Sequence, residues 1–145
     1  MADPVVYPIA KYRFKVKAGD LEAGFSEVTG YDATIEPTEY REGSMAALTP
    51  IKVAGIRKYS NITLKWGVTK SEELYKWMSK GFAAGVDRRT VEITLYDDDN
   101  TAVATWLIIN AWPTKYTGPE FNATSSDVAI ESLELAHEGM ERKNN

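Results

Sequence analysis

The fold is decided by one hairpin pattern, which reads Thr90-Val91-Glu92-Ile93-Thr94-Leu95-Tyr96, then Asp97-Asp98-Asp99-Asn100, then the largely apolar residues 102–112. Apolar and polar side chains alternate in the first segment, as they do in a strand that is buried on one face. Asp and Asn favour turns, so the acidic segment predicts the tip that joins two antiparallel strands. A calcium loop is the alternative, but its spaced acidic residues and bidentate Glu are missing. We expect Pro113 to end the second strand.

Similar patterns elsewhere in the chain predict further strands. Residues 11–17 and 61–68 alternate clearly, and residues 24–31 form a strand-like segment that can run on to Pro37. Residues 128–137 change phase midway, so periodicity leaves either a strand with a bulge or a short helix. About six strands joined by hairpins favour an antiparallel β-barrel or β-sandwich.

One flanking α-helix is predicted to start near Ser71. Residues 69–72 have the pattern of a capping box, and Gly81 and Gly85 are placed to end the helix. The spacing of its apolar residues predicts a core-facing stripe of Leu74, Trp77, Met78 and Phe82. The fold class is therefore mainly β, in a single domain that spans residues 1–145.

The composition argues against catalysis. The chain has 145 residues, 43% of them apolar, with 17 basic and 21 acidic residues. There is no cysteine, and the single histidine, His137, has no nucleophile nominated beside it, so we interpret it as a structural or surface residue. We expect no enzymatic activity, no cofactor and no metal site. The amino terminus has no signal-peptide pattern, which predicts synthesis in the cytoplasm.

Two segments lack any clear pattern. Residues 38–59 contain Gly43, Pro50 and Gly55 with scattered apolar residues, and this predicts a long connection without secondary structure. A loop of that length in a compact domain usually has a function, so it is the first candidate binding surface. The polar residues 140–145 predict a frayed tail.

A row of basic residues alternates along the first predicted strand. It consists of Lys11, Arg13, Lys15 and Lys17. The row is interpreted either as the solvated face of an amphipathic strand or as a contact with an acidic surface on a neighbouring subunit. A nucleic-acid groove is a weak third reading, because the chain as a whole is acidic.

Five blocks, in order along almost the whole chain, resemble the phage T4-type tail tube protein family. They are residues 24–30 with 39–43, residues 59–67, residues 106–113, Gly118-Pro119, and residues 128–139. One block departs from the family pattern, because Lys65-Trp66-Gly67 stands where Lys-Arg-Gly is common. The departure predicts packing at position 66 in place of a charge contact.

The resemblance implies a hexameric ring with a continuous inner β-barrel, and rings that stack into a hollow tube. A contracting sheath would drive this tube through a target envelope, and its lumen would conduct cargo, either protein toxin or DNA. The implied partners are further copies of the chain, the sheath, the baseplate and spike, and the tail terminator. The implied location is an assembled phage-like particle, and the wording of the blocks is most similar to that of extracellular injection systems.

The resemblance also gives residues 38–59 a role, because the corresponding loop of similar proteins reaches a neighbouring subunit or ring. The implied contact residues are Glu39, Tyr40, Arg41, Glu42, Gly43, Met45, Leu48, Ile51 and Tyr59. Two alternatives stay open. One is a secreted hexameric tube protein of a type VI secretion system, and the other is a monomeric β-barrel binding module.

Overall fold

The computed structural model describes residues 11, 13–44 and 50–144, with the backbone alone for Ala23. Within these ranges the chain forms ten strands and one helix, more strands than the six or so expected. They are β1 Phe14–Ala18, β2 Leu21–Ala23, β3 Glu27–Thr29, β4 Ala33–Tyr40, β5 Ile51–Tyr59, β6 Ile62–Gly67, α1 Glu73–Ala83, β7 Arg89–Tyr96, β8 Ala102–Thr117, β9 Ile130–Ala136 and β10 Gly139–Asn144.

Eight of the strands form one antiparallel sheet that folds over on itself, and β8 belongs to both halves. The front sheet, as we call the first half, has the order β2-β1-β7-β8-β10 and uses the part of β8 before residue 112. The back sheet has the order β8-β9-β6-β3 and uses the rest of β8. Asn110, with φ of 52°, lies next to the point where β8 passes from one sheet to the other.

The predicted end of the second strand at Pro113 is wrong. β8 has 16 residues and continues through Pro113 to Thr117. Its pairing with β9 shifts register between Pro113 and Lys115, and such an irregularity accommodates a residue that has no N–H to donate.

The core lies between the two sheets and is entirely apolar in the described part of the chain. Alternate residues of β6 confirm the predicted period, because Ile62, Leu64 and Trp66 are buried while Val68, beyond the strand, is exposed. Trp66 packs edge-on against Phe25 at 5.9 Å, which confirms the packing role expected at this position. The front sheet contributes Val16, Val91, Ile93 and Ile108, and the back sheet adds Leu133 and Leu135.

The helix occurs where it was predicted, but two of its details differ. Thr69 Oγ1 accepts a hydrogen bond from the N–H of Ser71, and Glu72 precedes the helix with no side-chain cap, so the predicted capping box is absent. Leu74 and Trp77 are buried, whereas Phe82 is 79% exposed and does not belong to the core. The last member of the predicted four-residue stripe therefore faces solvent.

The structure decides the expectations for the acidic tip, for residues 128–137 and for the tail. The acidic tip is a turn, as predicted, because Asp97 Oδ1 accepts from the N–H groups of Asp99 and Thr101 at 2.9 Å. Residues 130–136 form strand β9, and the change of phase arises because Ile130 is exposed while Leu133 and Leu135 are buried. The predicted frayed tail is wrong, since residues 139–144 pair with β8 as β10.

No helix among the described residues has the length and apolar character to cross a membrane.

Candidate functional site

Residues 38–59, predicted to lack structure, belong to a β-hairpin that stands apart from both sheets and begins at Ala33, within the segment predicted to run on as a strand to Pro37. We call this hairpin the arm: strands β4 and β5 with the connection between them, of which residues 45–49 lie outside the described part of the chain. Among the described residues its strands pair only with each other, from Ala33 opposite Tyr59 to Tyr40 opposite Ile51. Alternation failed to reveal the arm because neither face of this two-stranded sheet is buried, so no period of two is imposed.

The arm exposes apolar side chains to an unusual extent. Every residue of β4 is exposed, and so is every residue of β5 except Tyr59. The large apolar side chains left open are Ile35, Tyr40, Ile51, Val53 and Ile56, the last of them 68% exposed. An isolated two-stranded hairpin is marginal in water, and clustered exposed apolar groups mark interaction surfaces. The arm therefore has the features of a segment whose apolar side chains are buried against a partner.

Local chemistry keeps the arm a regular hairpin despite its exposure. The register shifts between Ile35 and Pro37, where a proline at the edge of a narrow sheet is tolerated. At Gly55 the backbone of the opposite strand approaches closely, because a Cβ there would lie 2.5 Å from the carbonyl oxygen of Glu36. Lys58 and Glu36 form an exposed ion pair across the two strands at 2.6 Å.

Ser60 and the single histidine secure the base of the arm. The Ser60 hydroxyl accepts from the N–H of Asp32 at 3.0 Å and donates to the carbonyl of Gly30. His137 Nε2 lies 2.9 Å from the Ser60 carbonyl, and its Nδ1 lies 3.1 Å from the Gly139 carbonyl. The Tyr59 ring packs against the imidazole at 5.4 Å. His137 thus joins the arm to the β9–β10 corner, which confirms its structural interpretation.

The structure separates the predicted contact residues into three groups. Glu39, Tyr40 and Ile51 lie in the outer half of the arm, next to Arg41, Glu42 and Gly43 at its tip, where the Tyr40 hydroxyl donates to Glu42. Tyr59 is half-buried at the base instead, away from the tip. Met45 and Leu48 lie outside the described residues.

The basic row lies in the front sheet, not on the arm. Lys15 and Lys17 project from the outer face of β1, and the Lys15 ammonium lies 5.4 Å from the Tyr96 ring. Arg13 Nη1 donates to the Asp98 carbonyl and to Asn100 Oδ1, so it holds the acidic tip. Lys11 lies at the rim of an apolar cavity of about 590 Å³ between β3 and the front sheet.

Sequence reasoning missed a second exposed apolar surface. Phe121 and Val128 are 84% and 72% exposed, in the connection from β8 to β9. Large apolar residues in a connection otherwise made of small and polar residues were the available signal. Within the described residues no cluster of three His, Asp or Glu side chains is arranged to hold a metal ion.

Two groups of polar contacts lie beside the helix. The Tyr116 hydroxyl donates to Glu131, and this hydrogen bond raises the pKa of Tyr116 to about 12, with burial and the carboxylate charge acting in the same direction. The Tyr116 ring also packs against Tyr75 of α1 at 5.1 Å. On the other side of the helix, burial opposes ionisation of Asp87, but Arg89 and Lys80 together hold the pKa of its carboxyl below the usual value. Neither site has the form of a catalytic pair.

A β-sandwich with an exposed apolar arm and open sheet edges has the features of a subunit built for assembly. The sequence agrees, because the family model of the T4-like virus tail tube protein gp19 matches residues 10–141. The chain belongs to this family of structural tube proteins. No curated protein matches the sequence.

Solved structures of high similarity come from extracellular injection particles. The tube-terminating cap of the anti-feeding prophage (AFP) is 31% identical with a TM-score of 0.91, over 100% of this chain and 97% of that one. A chain of the PVC extracellular contractile injection system, from its sheath-tube complex in the extended state, is 34% identical with a TM-score of 0.89, over 97% and 95%. A type six secretion system protein is only 15% identical with a TM-score of 0.58, over 89% and 81%, and shares the fold alone.

Proposed function

We propose that this chain is the inner tube subunit of an extracellular contractile injection particle. Hexameric rings of the protein stack into a hollow tube inside a contractile sheath. The observation that carries the proposal is the arm, which displays five large apolar side chains that the protomer itself leaves in water. The likeness to a chain of the PVC sheath-tube complex supports the same reading.

In this proposal the arm reaches a neighbouring subunit or ring. Its apolar side chains supply most of the contact energy, because each is about half exposed and burial of the exposed part stabilises the contact by about 1–2 kcal/mol. Glu39, Arg41 and Glu42 near the tip align the contacting subunits and add little to the free energy of the contact. Exposed ion pairs stabilise by only about 0–1 kcal/mol each. Repetition around every ring multiplies both effects.

The work of the protein is then mechanical. Sheath contraction drives the rigid tube through a target envelope, and the lumen conducts a protein toxin or DNA. The tube meets the sheath along its length, the baseplate and spike at one end, and the terminator at the other, in line with the AFP and PVC components to which it is similar. The chain is made in the cytoplasm and acts in the released particle. No step requires a catalytic group, a cofactor or a metal.

The decisive test is electron microscopy of the purified protein together with its mass in solution. We expect sixfold rings or stacked tubes from the wild-type chain. The variant Val53→Ser, on the arm, should weaken stacking, whereas Val86→Ser makes the same change at an exposed valine after the helix and is the matched control.

Three results would count against the proposal. A protein that stays monomeric at high concentration, with or without a baseplate template, favours the binding module. Isolated rings that are released into the medium and never join a particle favour the type VI alternative. Normal tubes from Val53→Ser would show that the arm is not the stacking contact.

A further inference from the structure

Both ring nitrogens of His137 face backbone carbonyl oxygens. Nε2 lies 2.9 Å from the Ser60 carbonyl, at the base of the arm, and Nδ1 lies 3.1 Å from the Gly139 carbonyl, at the start of β10. A carbonyl oxygen only accepts hydrogen bonds, so each contact requires a proton on the ring nitrogen. The side chain is half-buried, which leaves the ring within reach of protons from the solvent.

The number of these hydrogen bonds depends on the protonation of the ring. A neutral imidazole has one N–H donor, whereas the imidazolium has two. The neutral ring therefore turns a lone pair toward one of the two carbonyl oxygens. It keeps the bond to Ser60 in one tautomer and the bond to Gly139 in the other. Only the charged ring donates to both at once, and hydrogen bonds from a charged donor are the stronger ones.

The other groups near the ring are engaged elsewhere. The charged and titratable residues of the neighbouring elements are Glu134 and Glu138 on its own corner and Asp32, Lys58 and Tyr59 at the base of the arm. The two glutamates accept hydrogen bonds from Asn61, Asn110 and Arg88, and Lys58 pairs with Glu36. Tyr59 touches the imidazole with the face of its ring. Among the described residues no carboxylate forms an ion pair with the imidazole, so the two carbonyls are its polar partners.

The bond to Ser60 ties both strands of the arm to the β9–β10 corner. Asp32 precedes β4 and Ser60 follows β5, and the two residues are joined by two hydrogen bonds. The Ser60 N–H donates to the Asp32 carbonyl at 3.1 Å, and the Asp32 N–H donates to the Ser60 hydroxyl. In the described part of the chain the strands of the arm make few contacts with the two sheets. A single hydrogen bond at this position therefore affects how firmly the whole arm is held.

We infer that His137 is a proton-sensitive joint of the arm. Its protonated ring holds the arm to the β9–β10 corner in every molecule, whereas its neutral ring does so only in one of two tautomers. Histidine is the side-chain type that ordinarily changes charge between about pH 5 and 8, and this chain has one histidine and no cysteine. The arm is therefore held most firmly in acid, and this stabilisation decreases as the pH rises.

The joint has a consequence for assembly, which rests on the tube function proposed above. Ordering a mobile segment at a contact costs conformational entropy, and a segment that is already held costs less. Acid should therefore favour assembly through the arm. The attachment of the arm within the protomer does not depend on that function and is tested separately.

Hydrogen exchange of the full chain, kept below the concentration at which it assembles, measures the joint. The reporters are the amides of Asp32 and Ser60, at about pH 5.5 and about pH 7.5, with rates corrected for the intrinsic effect of pH. We expect the protection of both amides to be about 2–10 times higher at the lower pH, the factor for one hydrogen bond of ordinary strength. The amide of Leu64, in the core strand β6, is the internal reference.

Two substitutions separate the charge of the ring from its reach. His137→Gln places an amide nitrogen near the position of Nε2 and donates to the Ser60 carbonyl at every pH, so its protection should be high and independent of pH. His137→Asn reaches only toward Gly139, so its protection should be low at both pH values. A wild-type chain without the pH dependence, or a His137→Gln chain that keeps it, would overturn the joint.

Nuclear magnetic resonance of the wild-type chain gives a measurement that needs no variant. Labelling with ¹⁵N-histidine yields the signals of a single imidazole, because the chain has one histidine. At about pH 5.5 both ring N–H protons should exchange slowly with water, since both are held by carbonyl oxygens. Rapid exchange of either proton would overturn the joint.

The consequence for assembly is measured as the lowest concentration at which electron microscopy shows rings or tubes. This threshold should fall on acidification more steeply for the wild type than for His137→Gln. An equal fall in the two chains, with the difference in hydrogen exchange intact, would refute the effect on assembly and leave the joint in place. A sample that forms no rings or tubes at any pH would refute the tube function, and the exchange result would still decide the joint.

Discussion

Four glycines differ in two backbone constraints, a positive φ and a close contact at the position of a Cβ. One has both constraints, two have one each and one has neither, so the cost of each can be predicted from geometry. Gly30 has φ of +89° and a Cβ would lie 2.5 Å from the Asn61 carbonyl oxygen. Gly85 has φ of +95° with open space around it. Gly55 has the close contact without a positive φ, and Gly24 has neither constraint. Substitution of each by alanine therefore separates the cost of the dihedral angle from the cost of the contact.

The expected costs follow from these two terms. A positive φ costs an L-residue about 1–2 kcal/mol, so Gly85→Ala should lower the free energy of unfolding by that amount. Gly30→Ala adds a backbone clash of about 1–3 kcal/mol, for a total of about 2–5 kcal/mol. Gly24→Ala should be neutral or stabilising by up to about 1 kcal/mol. Gly55→Ala should distort the arm and thereby impair assembly. Its effect on the free energy of unfolding of the core should be small.

Urea unfolding, followed by tryptophan fluorescence, gives the four free energies, and electron microscopy gives the assembly of each variant. The slope of the free energy against urea should be the same for Gly30→Ala and Gly85→Ala, so that their midpoints compare directly. Equal midpoints for these two variants would refute the reasoning, because the Asn61 contact would then cost nothing. Normal tubes from Gly55→Ala would refute the close approach in the arm.

Two further predictions concern the β8 strand. Tyr116 has a folded-state pKa of about 12 against an ordinary value of 10.0, so the stability that its hydrogen bond to Glu131 contributes is complete below about pH 10 and is lost as the pH rises through 12. Wild-type protein should lose stability across that window relative to Tyr116→Phe, and an equal pH profile for both would contradict the raised pKa. Asn110→Ala should destabilise the protein by about 1–2 kcal/mol, because it puts alanine at a φ of 52° and removes the hydrogen bond to Glu138. Asn110→Gly relieves the dihedral strain and should be milder in thermal unfolding, and equal losses from the two variants would show that the hydrogen bond alone decides.

The sequence predicted those strands that have one buried face. The hairpin of β7 and β8 and the strand β6 alternate because the core selects an apolar residue at every second position. The arm and β10 escaped prediction because no core contacts the arm, and in β10 only Met140 packs against the core while residues 141–144 are exposed. Polar residues such as Glu141 and Lys143 look like a tail until their backbone is paired with β8.

The sequence located the exposed segment that carries the candidate contact residues but missed its form, and the contacts themselves stay a prediction. Residues near Arg41 were expected to make contacts, and they do lie at the tip of an exposed segment, but a disordered-looking pattern concealed two paired strands. Local motifs were less dependable than periodicity. The capping pattern at residues 69–72 is real in sequence, yet the hydroxyl of Thr69 turns to the N–H of Ser71 and the helix begins without it.

The path of β8 has a consequence for stiffness. In most β-sandwiches the two layers are joined by loops, and they can slide over each other as far as their side-chain packing allows. Here a single strand of 16 residues is hydrogen-bonded first into one layer and then into the other. A shearing load on the front sheet is passed to the back sheet along covalent bonds, and the layers cannot shift without breaking the ladder on one side of Asn110. The continuous backbone of β8 therefore makes the protomer resist shear between its two sheets.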